Sequence, residues 1–270
     1  MSANASMRDT RKSPAYFTSL LSELRLGLQG VPTDPVNRLP DDRVRSAWQL
    51  FEGSLYRLIA SYSQGDALES LLPLLNEVLR RREQLAEYGD KLPPRQQVMR
   101  RSLEQFDSRF NTFDTYLYHL WWWAMASCLD VSDDYRQRML AVTGNVGQDA
   151  LFDRLAVQLG DHDREVTHTL CYPGLHAPLL EVIKSPPPLR SDGAKRFLEG
   201  WYTDCAQAAW YDNHLNEDDE FELSDFYVGY WCFEAALVVT LYGIDDSSFR
   251  DHLNYPADLV EYYRTLRVTA

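Results

Sequence analysis

The stretch "FYVGYWCFEAALVVTLYG" runs from Phe226 to Gly243. Its second half, "LVVTLY", suits a strand by propensity alone. It continues, however, a longer pattern that is apolar on nearly every face, which is the mark of a helix buried on all sides. Read so, Phe226 to Tyr242 forms a central buried helix. No other segment shows sustained period-two alternation, so the expected fold is all-α.

Upstream, the periodicity is helical as well. Val44, Trp48, Phe51, Leu55, Leu58 and Tyr62 step by four and three, and Asp41 or Asp42 after Pro40 is a suitable start. Leu68, Leu71, Leu72, Leu75, Val78, Leu79 and Leu85 mark a second helix ending near Gly89, with a start near Ser70 or a kink at Pro73. Met99 to Ala124 carries a coiled-coil-like seam with aromatic knobs. Shorter helices are expected over Asp133–Ala141 and Gln148–Leu159. "YPGLHAP" and "SPPPLRSDG" then read as turn-rich punctuation. An amphipathic helix follows from Ala194 to Ala208, and "NYPADLVEYYRTL" closes the chain as a helix with Pro256 in its first turn. The pattern predicts a helical array in two halves. Residues 1–40 form an N-terminal extension with a short helix, 41–145 an N-terminal helical domain, and 146–270 a C-terminal helical domain.

Directly before the opening stretch lies "YDNHLNEDDEFELSDFY", Tyr211 to Tyr227, with seven acids and no Lys or Arg. The whole chain carries a net −13, and −12 of it falls from Glu199 to the end, where 15 acids face three Arg. Such a field repels nucleic acid and anionic membranes and attracts basic partners. The one basic run, "LRRRE" at Leu79–Glu83, reads as a solvated helix face pairing with nearby Glu. The 270 residues are 45% apolar and suffice for a sizeable core. The N-terminus has no apolar signal region and no apolar run reaches 18 residues, so a cytoplasmic protein is expected. Cys128, Cys171, Cys205 and Cys232 lie singly, which disfavours a zinc site or a disulfide framework.

Several constellations invite chemistry. Asp161, His162, Glu165 and His168 fit a helical metal-dependent hydrolase, with Glu165 and His168 one helical turn apart. The second such pair is missing, and a polar helix end is the plainer account. Glu234 sits in an apolar run, where a carboxylate needs a partner or a proton; a structural role is favoured, since no nucleophile or phosphate loop accompanies it. Asp245 and Asp246 lack the further acid of prenyl-transfer metal sites, and Phe249 stands in its place. They suit a cap after Gly243. Three successive tryptophans, Trp121 to Trp123, point about 100° apart on a helix. At least one is expected to be exposed, to lie in a groove, or to meet the other half of the chain. The acidic middle lacks the glycine and spacing of a calcium loop. It reads as a solvated loop or as a surface for a basic partner.

The C-terminal residues also carry a resemblance. "WYTDCAQAAWYDNH" (Trp201–His214), "GYWCFEAA" (Gly229–Ala236), "IDDSSFRD" (Ile244–Asp251) and "YPADL" (Tyr255–Leu259) are similar to the C-terminal domain of the PoNe-type immunity protein family. The family's members are all-helical partners encoded beside DNase effectors of polymorphic and type VI secretion systems. Trp210, His214, Gly229, Tyr230, Trp231, Glu234, Asp245, Asp246 and Arg250 form the matching framework. The resemblance implies inhibition of a cognate nuclease toxin by binding, not catalysis; no metal or cofactor is expected from the motifs, and the acidic charge argues against contact with nucleic acid or membrane. Charge suggests Asp212, Glu217, Asp218, Asp219, Glu220 and Glu222 as the toxin-facing residues. A helical scaffold for an unrelated basic partner is the remaining alternative.

Overall fold

In the computed structural model, which describes residues 7–31, 39–106, 112–216 and 226–269, the chain is all-α. The described residues form eleven α-helices and no strand. They divide into two units, each made of two pieces of sequence: Met1–Leu103 with Ala209–Tyr230, and Glu104–Ala208 with Trp231–Ala270.

The first unit is built on α2 (Pro40–Gln64), which packs against both α1 (Pro14–Gly30) and α3 (Leu72–Asp90). Its two neighbours explain why α2 buries more than one stripe, including Val44, Leu50, Phe51, Leu55, Leu58 and Ile59. Pro40 opens it, Asp41 and Asp42 complement its N-terminal dipole, and Gly65 at φ 102° ends it. Ser13 caps α1 by accepting the Tyr16 N–H at 3.1 Å. The expected break near Pro73 is a short 3₁₀ turn, Leu68–Leu71, running into α3. The basic run differs from its expectation. Arg80 and Arg81 both pair with Glu77 at 2.6 Å, but Arg81 and Arg82 are buried. The long apolar stems pack inside, and the Arg81 guanidinium keeps Glu77 and Gln84 as acceptors.

The second unit centres on α5 (Phe113–Cys128), packed by α10 (Phe233–Tyr242), α11 (Ala257–Thr269) and α6 (Asp133–Thr143). With neighbours around it, α5 buries all three tryptophans, so of the alternatives the sequence left open none is exposed and interhelical packing is what occurs. Trp122 donates to the Tyr135 hydroxyl at 2.8 Å and Trp123 to the Thr143 hydroxyl at 3.3 Å. Trp121 lies edge-on to Phe233, with ring centroids 6.3 Å apart. Trp122 and Trp123 therefore bring their large apolar surfaces without abandoning their polar edges.

Three sequence expectations are corrected. The Met99–Ala124 seam is not one helix. It divides into α4 (Gln97–Glu104) and α5, because Phe106 turns into an aromatic cluster with Phe152 at 4.4 Å and Tyr116 at 5.0 Å. Its N–H then donates to the Asn145 side chain at 3.0 Å instead of to a helical carbonyl. The buried run from Phe226 is helical only from Phe233 onward. Gly229 holds φ 112°, and the Tyr227 and Cys232 amides, before and after it, donate to the Tyr16 hydroxyl and the Asn254 carbonyl instead of to helical carbonyls. The two proline-rich stretches start helices rather than separate them. Pro173 opens α8 (Pro173–Lys184) and Pro187 opens α9 (Pro187–Asp204). Proline is tolerated in a first turn, whose N–H groups have no intrahelical partner.

Candidate functional site

The acidic positions Glu217, Asp218, Asp219, Glu220 and Glu222 lie outside the described residues. The chain on both sides of them is fixed. On the leading side Asp212 is exposed at φ 62°. Asn213 follows and donates its side-chain amide to the Phe226 carbonyl at 3.2 Å, linking the two flanks directly. The Asn216 carbonyl accepts from Lys12 at 2.6 Å. On the trailing side the Tyr16 hydroxyl accepts the Tyr227 N–H at 2.9 Å and donates to the Tyr227 carbonyl at 3.1 Å. Ser63 donates to the Val228 carbonyl at 2.6 Å.

The Tyr227 hydroxyl donates to Asp9 at 2.6 Å, and Arg11 pairs with the same carboxylate at 2.9 Å. Burial, followed by the Asp9 charge, raises the phenol's pKa. Tyr230 completes the clamp. It donates to the Trp210 carbonyl at 3.2 Å, while His214 N–H donates to its hydroxyl at 3.2 Å. The rings of Trp210, His214 and Tyr227 surround it at 4.7–5.6 Å. Thus Trp210, His214 and Tyr230 act as framework. Tyr227→Phe is expected to cost about 1–3 kcal/mol, since Asp9 is buried and would lose its shortest acceptor contact. Urea unfolding compared with wild type measures this.

The remaining signature residues belong to the second unit. The Cys232 N–H donates to the Asn254 carbonyl at 2.8 Å, next to the buried Trp231. Asp245 and Asp246 have different tasks. Asp245 accepts from the Ser247 N–H at 3.0 Å and from its hydroxyl at 3.1 Å, which lowers its pKa. Asp246 is buried, accepting from Arg264 at 2.8 Å and Tyr255 at 3.0 Å. Arg250 lies 4.0 Å from Asp246 and pairs with Glu261 at 2.7 Å. Gly243, at φ 61°, ends α10 as the cap reading anticipates.

Glu234 is 1% exposed in the first turn of α10. Burial pushes its pKa up to about 7, opposed by the helix N–H and by the nearby Trp201, Trp121 and Cys232 side chains. It lies inside the packed unit rather than at a cleft. The Asp161–His168 residues are not gathered on a helix, because 161–172 is an irregular loop. His162, Glu165 and His168 are exposed, and Asp161 pairs with Arg164 at 3.4 Å. Among the described residues no group of three or more His, Cys, Asp or Glu is placed to hold a metal ion. No helix among them is long and apolar enough to cross a membrane. The four cysteines are free thiols.

Two elements escape sequence reasoning. One is the Arg8–Lys12 strap, in which Arg8 binds the Tyr62 and Asp66 carbonyls while the Asp9 and Lys12 side chains reach Tyr227 and Asn216, 218 and 204 positions away. The other is a buried polar network that holds α7 (Ala150–Gln158) and the loop after it. Asp149 caps α7 through the Leu151 and Phe152 N–H groups and also accepts from Cys171 N–H at 2.8 Å and Tyr116 at 2.9 Å. Asp153 accepts from Arg164 at 2.7 Å and from the Gly147 and Thr167 N–H groups at 3.2 and 3.1 Å. Capping aspartates before an apolar run are legible in sequence; the partners they recruit from a later loop are not.

The fold is shared with the crystal structure of protein PA2201 from Pseudomonas aeruginosa, with a TM-score of 0.69 at 18% identity, over 98% of this chain and 93% of that one. No curated protein matches the chain. The framework just described falls within the class of immunity proteins, chains that bind a cognate toxin. Residues 147–259 match the family model described as PoNe immunity proteins (PoNi), C-terminal, so this segment of the chain carries that family's C-terminal domain.

Proposed function

We propose that the protein binds and neutralises a secreted nuclease effector of a polymorphic or type VI secretion system, acting in the cytoplasm by binding rather than by catalysis. The observation that carries this reading is the family match over residues 147–259. The charge distribution supports it. A nuclease needs a basic cleft for phosphates, and this chain concentrates −12 of its net −13 from Glu199 onward. Asp212 and the positions Glu217, Asp218, Asp219, Glu220 and Glu222 face that cleft in this reading.

Co-expression with the C-terminal domain of the effector encoded beside it tests the proposal. Cell survival and co-purification are expected, and cell death despite good expression would refute it. Reversing Glu217, Asp218, Asp219 and Glu220 to Lys is expected to slow association by about tenfold or more at low salt. Stopped-flow mixing across a salt series reads this. Unchanged association would remove the acidic segment from the interface while leaving immunity intact.

A further inference from the structure

The helical hairpin α8–α9 lies wholly within the family-matched segment, and its outer side has a feature that packing alone does not use. The two helices are joined through Ser185 and Pro186 and approach closely at one point. There, a Cβ added to Gly193 would stand 2.8 Å from the Val182 side chain. Away from that contact they part into a groove of about 470 Å³. Its apolar lining includes the buried Val182 and Phe197 and the exposed Pro178 and Leu189, the last of them 59% exposed. Glu181, Asp192 and Asp204, all exposed, line it too. Arg196 is the one cation among its described lining residues. Lys184 pairs with Glu181 at 2.6 Å, but both side chains are largely in water and screen one another weakly.

The exposed Leu189 and Pro178 share one groove with three exposed carboxylates, so apolar and acidic surface lie side by side along it. They suit a segment that brings an apolar side chain flanked by Lys or Arg. The apolar group would cover Leu189 and reach toward Phe197, and the cations would meet the acids. The volume fits a short segment, not a broad face.

We infer that the α8–α9 groove is a second docking site for the toxin and takes a basic segment of it with an apolar anchor. This rests on the immunity reading and adds a partner-contacting surface to it. Both the anchor and the acids lie within residues 147–259, so the site travels with the family domain. A nuclease is rich in such basic segments because its own substrate demands them.

The test measures binding of the effector's C-terminal nuclease domain, inactivated by substitution, to wild type and two variants. Leu189→Arg places bulk and like charge in the groove at a site already in solvent. It is expected to weaken the complex by about tenfold or more. Asp192→Lys with Asp204→Lys is expected to slow association several-fold, an effect that fades as salt rises. Circular dichroism and melting of the free variants should match wild type. If wild type binds and both variants bind equally well, the groove is not a docking site and the immunity reading stands. If wild type itself neither binds nor protects, the immunity reading falls and the groove falls with it.

Discussion

Asp153→Ala is expected to lose about 3–5 kcal/mol of stability, the range for removing one partner of a buried ion pair. Arg164 and Asp153 are side chains with 1% and 0% exposure, 2.7 Å apart. Without the carboxylate, the guanidinium would keep the Gly144 carbonyl at 2.8 Å and the half-exposed Asp161 at 3.4 Å. The Gly147 and Thr167 N–H groups would lose their acceptor as well. Arg164→Met should cost less, because Asp153 would still accept two backbone N–H groups. Combining Asp153→Leu with Arg164→Met should recover part of the loss, since apolar replacement of both partners removes the stranded charge. Equilibrium denaturant unfolding of wild type and these variants, with Asp153→Leu alone to close the cycle, measures the coupling. A loss below about 1 kcal/mol for Asp153→Ala would mean the pair is solvated. In cells such a loss should also lower the amount of folded immunity protein, and with it protection.

The second large effect is on pH dependence. Glu234 has its pKa raised from 4.5 to about 7. The folded state therefore keeps a proton that the unfolded chain releases. The stability this group lends is full below pH 4.5 and is lost as pH rises through 7. The difference corresponds to about 3 kcal/mol. His176 works in the opposite sense. It is fully buried, its two ring nitrogens close no hydrogen bond, and burial lowers its pKa from 6.5 to about 3. Its neighbour is the ring of Tyr116 at 4.7 Å, whose hydroxyl is committed to Asp149. Stability is full above pH 6.5 and falls as pH drops toward 3.

Between pH 4.5 and 6.5 the two slopes oppose each other, so wild type should show a shallow profile there. Glu234→Gln should remove the falling limb. Its stability relative to wild type is expected to grow by about 3 kcal/mol from pH 5 to pH 8. His176→Leu should flatten the acid side instead. Unfolding midpoints at half-unit pH steps test both. A Glu234→Gln curve parallel to wild type would show that the carboxyl titrates normally.

Most helices were legible because each keeps a periodic apolar pattern beside a polar face; α2, α6 and α7 follow their apolar spacing, α2 even though it packs on two neighbours. The failures share a physical cause. Where a segment is buried on all sides, as from Phe226 to Tyr242, apolarity no longer distinguishes helix from extended chain. Only Gly229 and the distant acceptors decide. Pro173 and Pro187 were readable as interruptions or as first turns, and the choice depends on what their helices pack against. The acidic character of the candidate surface was legible from composition alone. Its anchoring was not, since Asp9 and Tyr227 are 218 positions apart. The Glu165–His168 spacing suggested a helical face that the irregular loop does not form.

The first unit has a consequence for synthesis. Arg8 and Asp9 can reach Tyr62 and Ser63 early, but Asp9, Lys12 and Tyr16 meet Tyr227 and Asn216 only after the ribosome has produced most of the chain. Helices α1 to α3 can pair early, through short-range contacts. The clamp on Tyr227 and Val228 demands a loop closure of about two hundred residues, which is entropically slow. An antidote made at the moment of attack would be useful only after that closure. Selection for rapid protection therefore favours a standing pool of finished molecules over production on demand.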